Sequence, residues 1–356
     1  MYIKKKNLKH LLIDKNKSIN DVLIILNKSR FPEKKICIVI EKSKILNVLT
    51  DGDIRRILIK EKNLNQKIHK HLKKNFIYAN DSSSEQALKK IIKKYQIDFL
   101  PILNKKKEFI SLYYADSNRY NVLKKNDNEV FILAGGRGKR MFPLTDNVPK
   151  PLLKIGSETI IETLINSFKN QGFYNFTISL NYFSEKIINY INNKKYEDIN
   201  IKYVIEKKKL GTAGSISKFK IVNNKPIIVI NGDIYTRFNF LELINFHNKN
   251  NNALTVCSRF YNQQIPYGVI SRQKQANEII IEKPMYKHKI SAGIYVMNSK
   301  LVKDIPKNNF LNMNDFINSQ YKKNKKVGVF PIHELWMDIG DHGSFINAQN
   351  EVDQEW

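Results

Sequence analysis

The strongest chemical signal in the sequence is a glycine turn surrounded by cations, running from Leu133 to Met141 as Leu-Ala-Gly-Gly-Arg-Gly-Lys-Arg-Met. Because glycine has no side chain, its backbone N–H groups can approach an anion closely and form a nest around it. Arg137 and Arg140 add positive charge within the turn, and Lys150 follows between two prolines. The spacing fits neither a Walker loop nor a dinucleotide fingerprint. The pattern therefore predicts a phosphate-binding turn of another kind.

Two aspartates could hold a metal ion. Asp233 follows the apolar segment Pro226–Ile230 in Asn-Gly-Asp, and a carboxylate at the end of a buried strand suits Mg²⁺, which prefers carboxylates, phosphates and water. A turn or helix-cap aspartate is the alternative for an isolated Asn-Gly-Asp. Asp338 lies in Trp-Met-Asp-Ile-Gly, which indicates little when it is considered alone.

A second glycine segment, Glu206–Gly214, reads Glu-Lys-Lys-Lys-Leu-Gly-Thr-Ala-Gly and opens a predicted helix. Gly211 permits close backbone approach, and a helix N-terminus offers free N–H groups to a ligand. A simple strand-to-helix turn is the alternative. Three shorter strings, around Gly268, Glu282 and Ser291, carry little information separately.

Taken together, these strings resemble the signature of sugar-1-phosphate nucleotidyltransferases over residues 129–356. In that family a strand leads into A-G-G-x-G-T-R-L, followed by P-x-T and P-K-P. Here Lys139 replaces the usual Thr and Met141 the usual Leu. The metal motif W-x-D-x-G usually continues with Thr, whereas this chain has Asp341, which leaves a further metal or substrate contact open.

The resemblance implies a role for each matching residue. Arg140, Lys150 and Lys283 would neutralise and hold phosphates as catalytic residues with Asp233, and Asp233 and Asp338 would bind Mg²⁺. The implied nucleotide-binding residues are Leu133, Ala134, Gly135, Gly136, Arg137, Gly138, Glu206, Gly211 and Thr212. The implied sugar-binding residues are Gly268, Glu282, Ser291 and Gly293, with Ser291 standing where the family commonly has Asn.

The implied reaction converts a nucleoside triphosphate and a sugar 1-phosphate into a nucleotide sugar and pyrophosphate. The sugar phosphate is already an anionic nucleophile at neutral pH, so alignment and charge neutralisation must supply the catalysis. The closest resemblance is to guanylyltransferases acting on glucosamine 1-phosphate in legionaminic acid synthesis. Guanylyl transfer to mannose 1-phosphate and thymidylyl transfer to glucose 1-phosphate are alternatives, as is a non-catalytic sensor of nucleotide sugars.

The elements that must position these residues lie in a predicted domain, residues 126–356, in which strands and helices alternate from residue 130 onward. Predicted strands are 130–133, 176–180, 201–205, 226–230 and 253–258, and predicted helices are 159–170, 184–192, 213–219 and 240–249. Such alternation predicts an α/β domain with a mostly parallel, Rossmann-like sheet, as in glycosyltransferase-A-like folds. Ligands in such sheets bind beyond the carboxyl ends of the strands, where the motifs above lie.

Residues 1–125 form a separate half, joined to the rest by a predicted polar linker at 123–129. It resembles a tandem pair of cystathionine β-synthase (CBS) domains, with repeats at about 5–62 and 63–122. In the string Leu-Thr-Asp-Gly-Asp-Ile-Arg-Arg, Thr50 and Asp53 match residues that hold the ribose of an adenine nucleotide. The second repeat departs from the pattern with Tyr113 and places Asp116 where the first has Asp53. The alternative is a module for packing or dimerisation only, and a homo-oligomer is one option because CBS pairs often associate.

Composition limits the other function classes. The net charge of +28 comes from lysines scattered along the chain with little aromatic interleaving, which favours a lysine-rich composition over a nucleic-acid partner. No apolar stretch is long enough to span a membrane, and the sequence begins without an apolar signal core. Two distant cysteines, Cys37 and Cys257, fit a reducing cytoplasm. We therefore expect a cytoplasmic enzyme without nucleic-acid or membrane partners.

Overall fold

The computed structural model describes residues 2–5, 8–28, 36–61, 63–73, 75–95, 97, 99–115, 125–194, 196–272 and 278–353. The chain divides into two compact units, Met1–Lys124 and Lys125–Trp356. Asp116, the predicted counterpart of Asp53, lies outside the described residues.

The N-terminal unit contains two small sheets with helices beside them. Its elements are β1 (Tyr2–Lys5), β2 (Leu12–Asp14), α1 (Ile19–Lys28), β3 (Ile36–Glu41), β4 (Lys44–Thr50), α2 (Asp51–Lys60), β5 (Ala79–Asn80), α3 (Glu85–Tyr95), β6 (Phe99–Leu103) and β7 (Phe109–Ala115). One sheet has the order β2-β3-β4 and the other β1-β7-β6-β5. In both, a helix connects two parallel strands and an antiparallel strand follows. Strand β1 pairs with β7, so the chain start joins the second sheet.

The second unit is built around a seven-stranded sheet. Its elements are β8 (Asn126–Leu133), β9 (Lys154–Ile155), β10 (Glu158–Thr159), α4 (Ile160–Lys169), β11 (Phe173–Leu180), α5 (Ser184–Asn193), β12 (Asn200–Ile205), α6 (Gly211–Gly214), β13 (Ile227–Asn231), β14 (Ile234–Thr236), α7 (Phe240–Lys249), β15 (Leu254–Gln264), β16 (Val269–Arg272), β17 (Glu278–Ile281), β18 (Met285–Met297), α8 (Met313–Lys322), β19 (Val327–Pro331), β20 (Trp336–Asp338) and α9 (His342–Asp353).

The strand order is β12-β11-β8-β13-β18-β15-β19. The first four strands run parallel to one another, β18 is antiparallel to both neighbours, and β19 is parallel to β15. The predicted α/β architecture with a mostly parallel sheet is confirmed.

Apolar side chains cover both faces of this sheet because strand residues alternate between faces. On β8, Val130 and Ile132 belong to a core that includes Phe168 of α4, while Phe131 belongs to a second core with Phe316 of α8. Helix α4 starts at a capping box, in which the backbone N–H of Glu162 donates to Thr159 Oγ1 at 3.3 Å.

Two sequence predictions about local structure are wrong. The polar stretch predicted as a linker already belongs to β8 from Asn126, because its polar groups find partners: Asn128 Nδ2 donates to the Pro226 carbonyl at 2.6 Å, and Thr177 Oγ1 donates to the buried Glu129 at 2.6 Å. The predicted helix 213–219 is instead the single turn α6 followed by a 3-10 turn, Ser215–Lys218.

Candidate active site

The carboxyl ends of the parallel strands bring the predicted motifs to one edge of the sheet. The glycine turn follows β8, Glu206 follows β12, and Asp233 follows β13 at a distance of two residues. Parallel strands end on the same side, so motifs far apart in sequence share this edge.

The glycine turn is held open by its own local packing. Ala134 N donates to the Ser179 carbonyl at 2.9 Å, and Thr145 Oγ1 donates to the Gly138 carbonyl at 2.9 Å. Gly138 has a φ of 65°, a backbone angle that residues with a side chain rarely adopt. At Gly136, by contrast, a Cβ would meet no protein atom within 4 Å. The backbone at Gly136 is therefore available to a ligand.

A partly buried ion pair joins two of the predicted catalytic residues. Lys150 Nζ lies 2.6 Å from Asp233 Oδ2, and Lys150 is only 8% exposed. The other carboxylate oxygen, Asp233 Oδ1, is buried and has no hydrogen-bond partner. A buried carboxylate oxygen without a partner is costly unless a cation or a ligand satisfies it.

Asp338 lies beside Asp233. Strand β20 pairs with β14 so that Asp338 is opposite Ile234, and Ile339 N donates to the Asp233 carbonyl at 2.9 Å. Burial raises the pKa of Asp338, and the negative charge of Asp233 raises it further, while Lys150 and Arg140 act in the opposite direction. A bound cation would relieve the repulsion between these two negative charges.

Arg140 completes the cluster from the glycine turn. Its guanidinium lies against Gly340, where a Cβ would come within 3.2 Å of Arg140 Nη2. The structure thus brings Lys150, Asp233, Asp338 and Arg140 together.

Asp341, which stands where the family usually has Thr, serves the last helix. Ser344 N donates to Asp341 Oδ1 at 2.8 Å and Asp341 N donates to Ser344 Oγ at 3.1 Å. The hydrogen bonds from Ser344 lower the pKa of Asp341. Capping of α9 through Ser344 therefore explains why an aspartate stands at position 341.

The second glycine segment, Glu206–Gly214, is fixed by a neighbouring loop. Gly211 has a φ of 78°, and a Cβ there would lie 2.5 Å from the Leu311 carbonyl oxygen. Glu206 is buried, accepting from Ser179 Oγ at 2.7 Å and from Leu210 N at 3.0 Å. Thr212 Oγ1 accepts from Met313 N at 2.7 Å. Glu206 and Thr212 thus shape the loop with their side chains.

Of the predicted sugar-binding residues, Gly268, Glu282 and Ser291 are exposed and Gly293 is buried. A Cβ at Gly293 would lie 2.7 Å from Asn231 Nδ2, and one at Gly268 would lie 3.2 Å from Glu282 Oε2. Ser291 Oγ lies 3.1 Å from the Tyr295 hydroxyl, within hydrogen-bond distance. Lys283 is exposed, and its backbone N–H donates to the Tyr267 carbonyl at 3.3 Å. Among the described residues, Lys283 makes no hydrogen bond or ion pair with the Asp233 cluster.

The sequence prediction missed Asn181 and Tyr182, which directly follow β11. Asn181 Nδ2 donates to the Glu206 carbonyl at 2.6 Å, and its Cβ lies 3.3 Å from where a Cβ on Gly135 would be. The available signal was their position after the predicted strand 176–180, at the edge where the other motifs lie.

Comparison with known proteins agrees with this geometry. Residues 129–355 match the Nucleotidyl transferase family. The chain belongs to this family. Similar relatives include a mannose-1-phosphate guanyltransferase of Yarrowia lipolytica, which is 30% identical over 234 residues that cover 61% of this chain and 62% of the relative. One of Saccharomyces cerevisiae is 30% identical over 228 residues, with the same coverage.

The chain thus matches less than two thirds of the length of those two relatives. The structure of HddC from Yersinia pseudotuberculosis complexed with GMP-PN has the same fold, with a TM-score of 0.51 and 23% identity over 63% of this chain and 99% of that one. Among the described residues, no helix is both long and apolar enough to cross a membrane.

Thr50 and Asp53 lie in the N-terminal unit, outside the family match. They line a cavity of about 600 Å³ together with Arg56, Lys73 and Phe76, among others. They also form a capping box at the start of α2, in which Asp53 N donates to Thr50 Oγ1 at 3.3 Å and Thr50 N donates to Asp53 Oδ2 at 3.1 Å. Arg56 and Lys73 donate to Asp53 Oδ1 at 2.5 and 3.2 Å. The hydrogen bonds from Thr50 and Arg56 lower the pKa of Asp53 in spite of its burial.

Proposed function

We propose that the protein transfers a nucleoside monophosphate from a nucleoside triphosphate to a sugar 1-phosphate. The observation that carries the proposal is the cluster of Lys150, Asp233, Asp338 and Arg140 beside an open glycine turn. An oxygen of the sugar phosphate forms a bond to the α-phosphorus, the bond between that phosphorus and the α–β bridging oxygen breaks, and pyrophosphate leaves.

The chain's own residues supply alignment and charge. Backbone N–H groups of the glycine turn hold the triphosphate, while Arg140 stabilises negative charge on the leaving pyrophosphate. Lys150 neutralises the α-phosphate from its buried position beside Asp233. Lys283 holds the sugar phosphate once the substrate is bound. No general base is needed because the nucleophile is already ionised.

Asp233 and Asp338 fit a divalent cation, Mg²⁺ in the proposal. The unpartnered Asp233 Oδ1 and the raised pKa of Asp338 describe two carboxylates whose mutual repulsion a hard cation would relieve. When bound, the ion would polarise phosphate oxygens as a Lewis acid.

For the substrates, we propose GTP and a hexose 1-phosphate, with glucosamine 1-phosphate as the first choice. The mannose-1-phosphate guanyltransferases among the relatives support guanine and make mannose 1-phosphate a second candidate. The test measures pyrophosphate release from ATP, CTP, GTP, UTP and dTTP against glucosamine, mannose and glucose 1-phosphates with Mg²⁺. Thymidylyl transfer to glucose 1-phosphate would replace the guanylyl proposal. Binding without turnover for every pair would indicate a sensor of nucleotide sugars.

A matched pair of variants tests the metal proposal. Asp233→Asn is nearly isosteric and should keep the fold but lose most turnover, whereas Asp304→Asn, at an exposed aspartate, should change neither. Turnover of folded Asp233→Asn within about threefold of the parent would contradict a metal-binding role.

We further propose that residues 1–125 form a tandem CBS pair, with repeats at about 5–62 and 63–122, that binds an adenine nucleotide at Thr50 and Asp53. The same strand arrangement in the two small sheets and the cavity at Thr50 and Asp53 support this. Binding a ribose through Asp53 requires its hydroxyls to displace Arg56 or Lys73 from the carboxylate.

Calorimetry with AMP and ATP tests this second proposal. Asp53→Asn keeps a side-chain oxygen that can accept from the Thr50 backbone N–H in the capping box of α2, so a loss of binding in that variant would be specific to the ligand. An absence of binding in the full chain would leave the unit as a packing or assembly module. We also propose that residues 126–356 alone stay folded and retain transferase activity.

A further inference from the structure

An aromatic turn holds the glycine turn from the side. Immediately after β11, the ring of Tyr182 lies under the Arg137 guanidinium, with 5.1 Å between the guanidinium carbon and the ring centroid. Arg137 is the one side chain between Gly136 and Gly138, and it is exposed. A cation over an aromatic face within about 6 Å is attracted by the negative face of the ring.

A second set of contacts fixes Tyr182 itself. Phe183 has a φ of 54°, which is uncommon for a residue with a bulky side chain, and its ring centroid lies 4.1 Å from that of Tyr182. Lys186 Nζ lies 4.6 Å from the Phe183 ring centroid and also donates to the Asn147 carbonyl at 3.0 Å. The turn Asn181–Phe183 thus contacts the loop at Gly135, at Arg137 and, through Lys186, at Asn147.

These contacts limit the freedom of a long side chain at the place where the triphosphate is proposed to bind. An unrestrained Arg loses rotamer freedom when it binds a ligand, and fixing it beforehand reduces that cost. The ring leaves the N–H donors of the guanidinium available to phosphate oxygens, whereas a carboxylate partner would occupy those donors.

We infer that Tyr182 is a positioning residue that holds Arg137 in place to bind the triphosphate. The inference rests on the proposed function for the identity of the ligand. It adds a residue outside the glycine and metal motifs to the site, and it assigns a reason for the aromatic turn after β11.

The experiment measures equilibrium binding of ATP, CTP, GTP and UTP to the full chain by calorimetry, and KM and kcat for the tightest-binding triphosphate. An exposed cation–π contact corresponds to about a two- to fivefold change in an equilibrium constant. Tyr182→Ala should therefore raise Kd and KM for the triphosphate by about two- to fivefold. Its kcat should change less than its KM, and Tyr182→Phe, which keeps the ring, should bind like the parent.

The decisive step is a double-mutant cycle with Arg137→Ala. If Tyr182 acts through Arg137, Tyr182→Ala should have no further effect once Arg137 is removed. Tyr174→Ala is the matched control: Tyr174 lies at the other end of β11 and carries Lys125 over its ring at 5.5 Å. It should leave triphosphate binding unchanged.

Additive effects in the cycle, or a Tyr182→Phe variant as impaired as Tyr182→Ala, would overturn the inference. So would failure of the parent to bind any triphosphate. Triphosphate binding without transfer would contradict the proposed reaction while leaving the role of Tyr182 intact.

Discussion

Substitution by Ala is predicted to affect ligand binding at Gly136 and stability at Gly211. The bound triphosphate requires the missing side chain at Gly136, whereas the fold requires it at Gly211. At Gly136 a Cβ would meet no protein atom within 4 Å, so the folded protein itself does not require glycine there. Gly136→Ala should therefore change the free energy of unfolding by no more than about 0.5 kcal/mol.

The ligand, however, should detect the added methyl group. If the triphosphate lies against the backbone of the turn, the methyl group occupies space that phosphate oxygens need. Overpacking of this kind costs about 1–3 kcal/mol, which corresponds to about a 5- to 150-fold rise in the KM for the triphosphate.

At Gly211 the fold itself requires glycine. The left-handed φ of 78° costs a residue with a side chain about 1–2 kcal/mol, and the contact of 2.5 Å with the Leu311 carbonyl oxygen adds about 1–3 kcal/mol. Gly211→Ala should lower the Tm of the unit formed by residues 125–356 by about 5–15 °C.

Calorimetric unfolding and initial-rate kinetics on both variants provide the assay. A Gly136→Ala protein with the parent's Tm and the parent's KM would refute the proposal that the triphosphate contacts this turn. A Gly211→Ala protein with an unchanged Tm would refute the packing described for the segment Glu206–Gly214.

Three further predictions concern single side chains. Arg140→Ala should lower kcat by about 10²-fold or more, since its charge is needed as pyrophosphate leaves, and a change in KM alone would reassign it to substrate binding. Asp341→Ala should cost about 1 kcal/mol of stability by removing a helix cap but keep kcat within about twofold, and Asp341→Asn should restore the Tm; a large loss of kcat would reveal a role at the metal or substrate. Burial lowers the pKa of His247 below its ordinary 6.5, so near that pH the unfolded chain binds a proton that the folded chain does not. The free energy of unfolding should therefore fall as the pH drops below about 6.5. His247→Gln should remove that part of the pH dependence in denaturant titrations.

The fold of the second unit follows closely from the sequence because its apolar segments carry a clear period. The helix predicted at 240–249 appears as α7 with the same bounds, and each predicted strand lies within one strand of the structure or overlaps it. The start of β8 could not be predicted, since Asn128 and Glu129 are polar residues whose hydrogen-bond partners, Pro226 and Thr177, are distant in sequence.

The candidate site was predictable where residues form short local motifs. The ion pair between Lys150 and Asp233 joins two such motifs across 83 positions, and the sequence alone predicts their roles but not their contact. The capping role of Asp341 could not be predicted, because its hydrogen bond from Ser344 N becomes visible only once the start of α9 is located. Tyr182 was missed because a single aromatic residue after a strand has no signature until its cation partner is located.

Simultaneous quantification of pyrophosphate and nucleotide sugar tests the central claim most directly. With Mg²⁺, a nucleoside triphosphate and a sugar 1-phosphate, the parent should form the two products in equal amounts, require both substrates, and lose this activity in Asp233→Asn while remaining folded. Pyrophosphate release that continues without the sugar phosphate, or no product from any pair in the substrate panel, would contradict nucleotidyl transfer to a sugar phosphate.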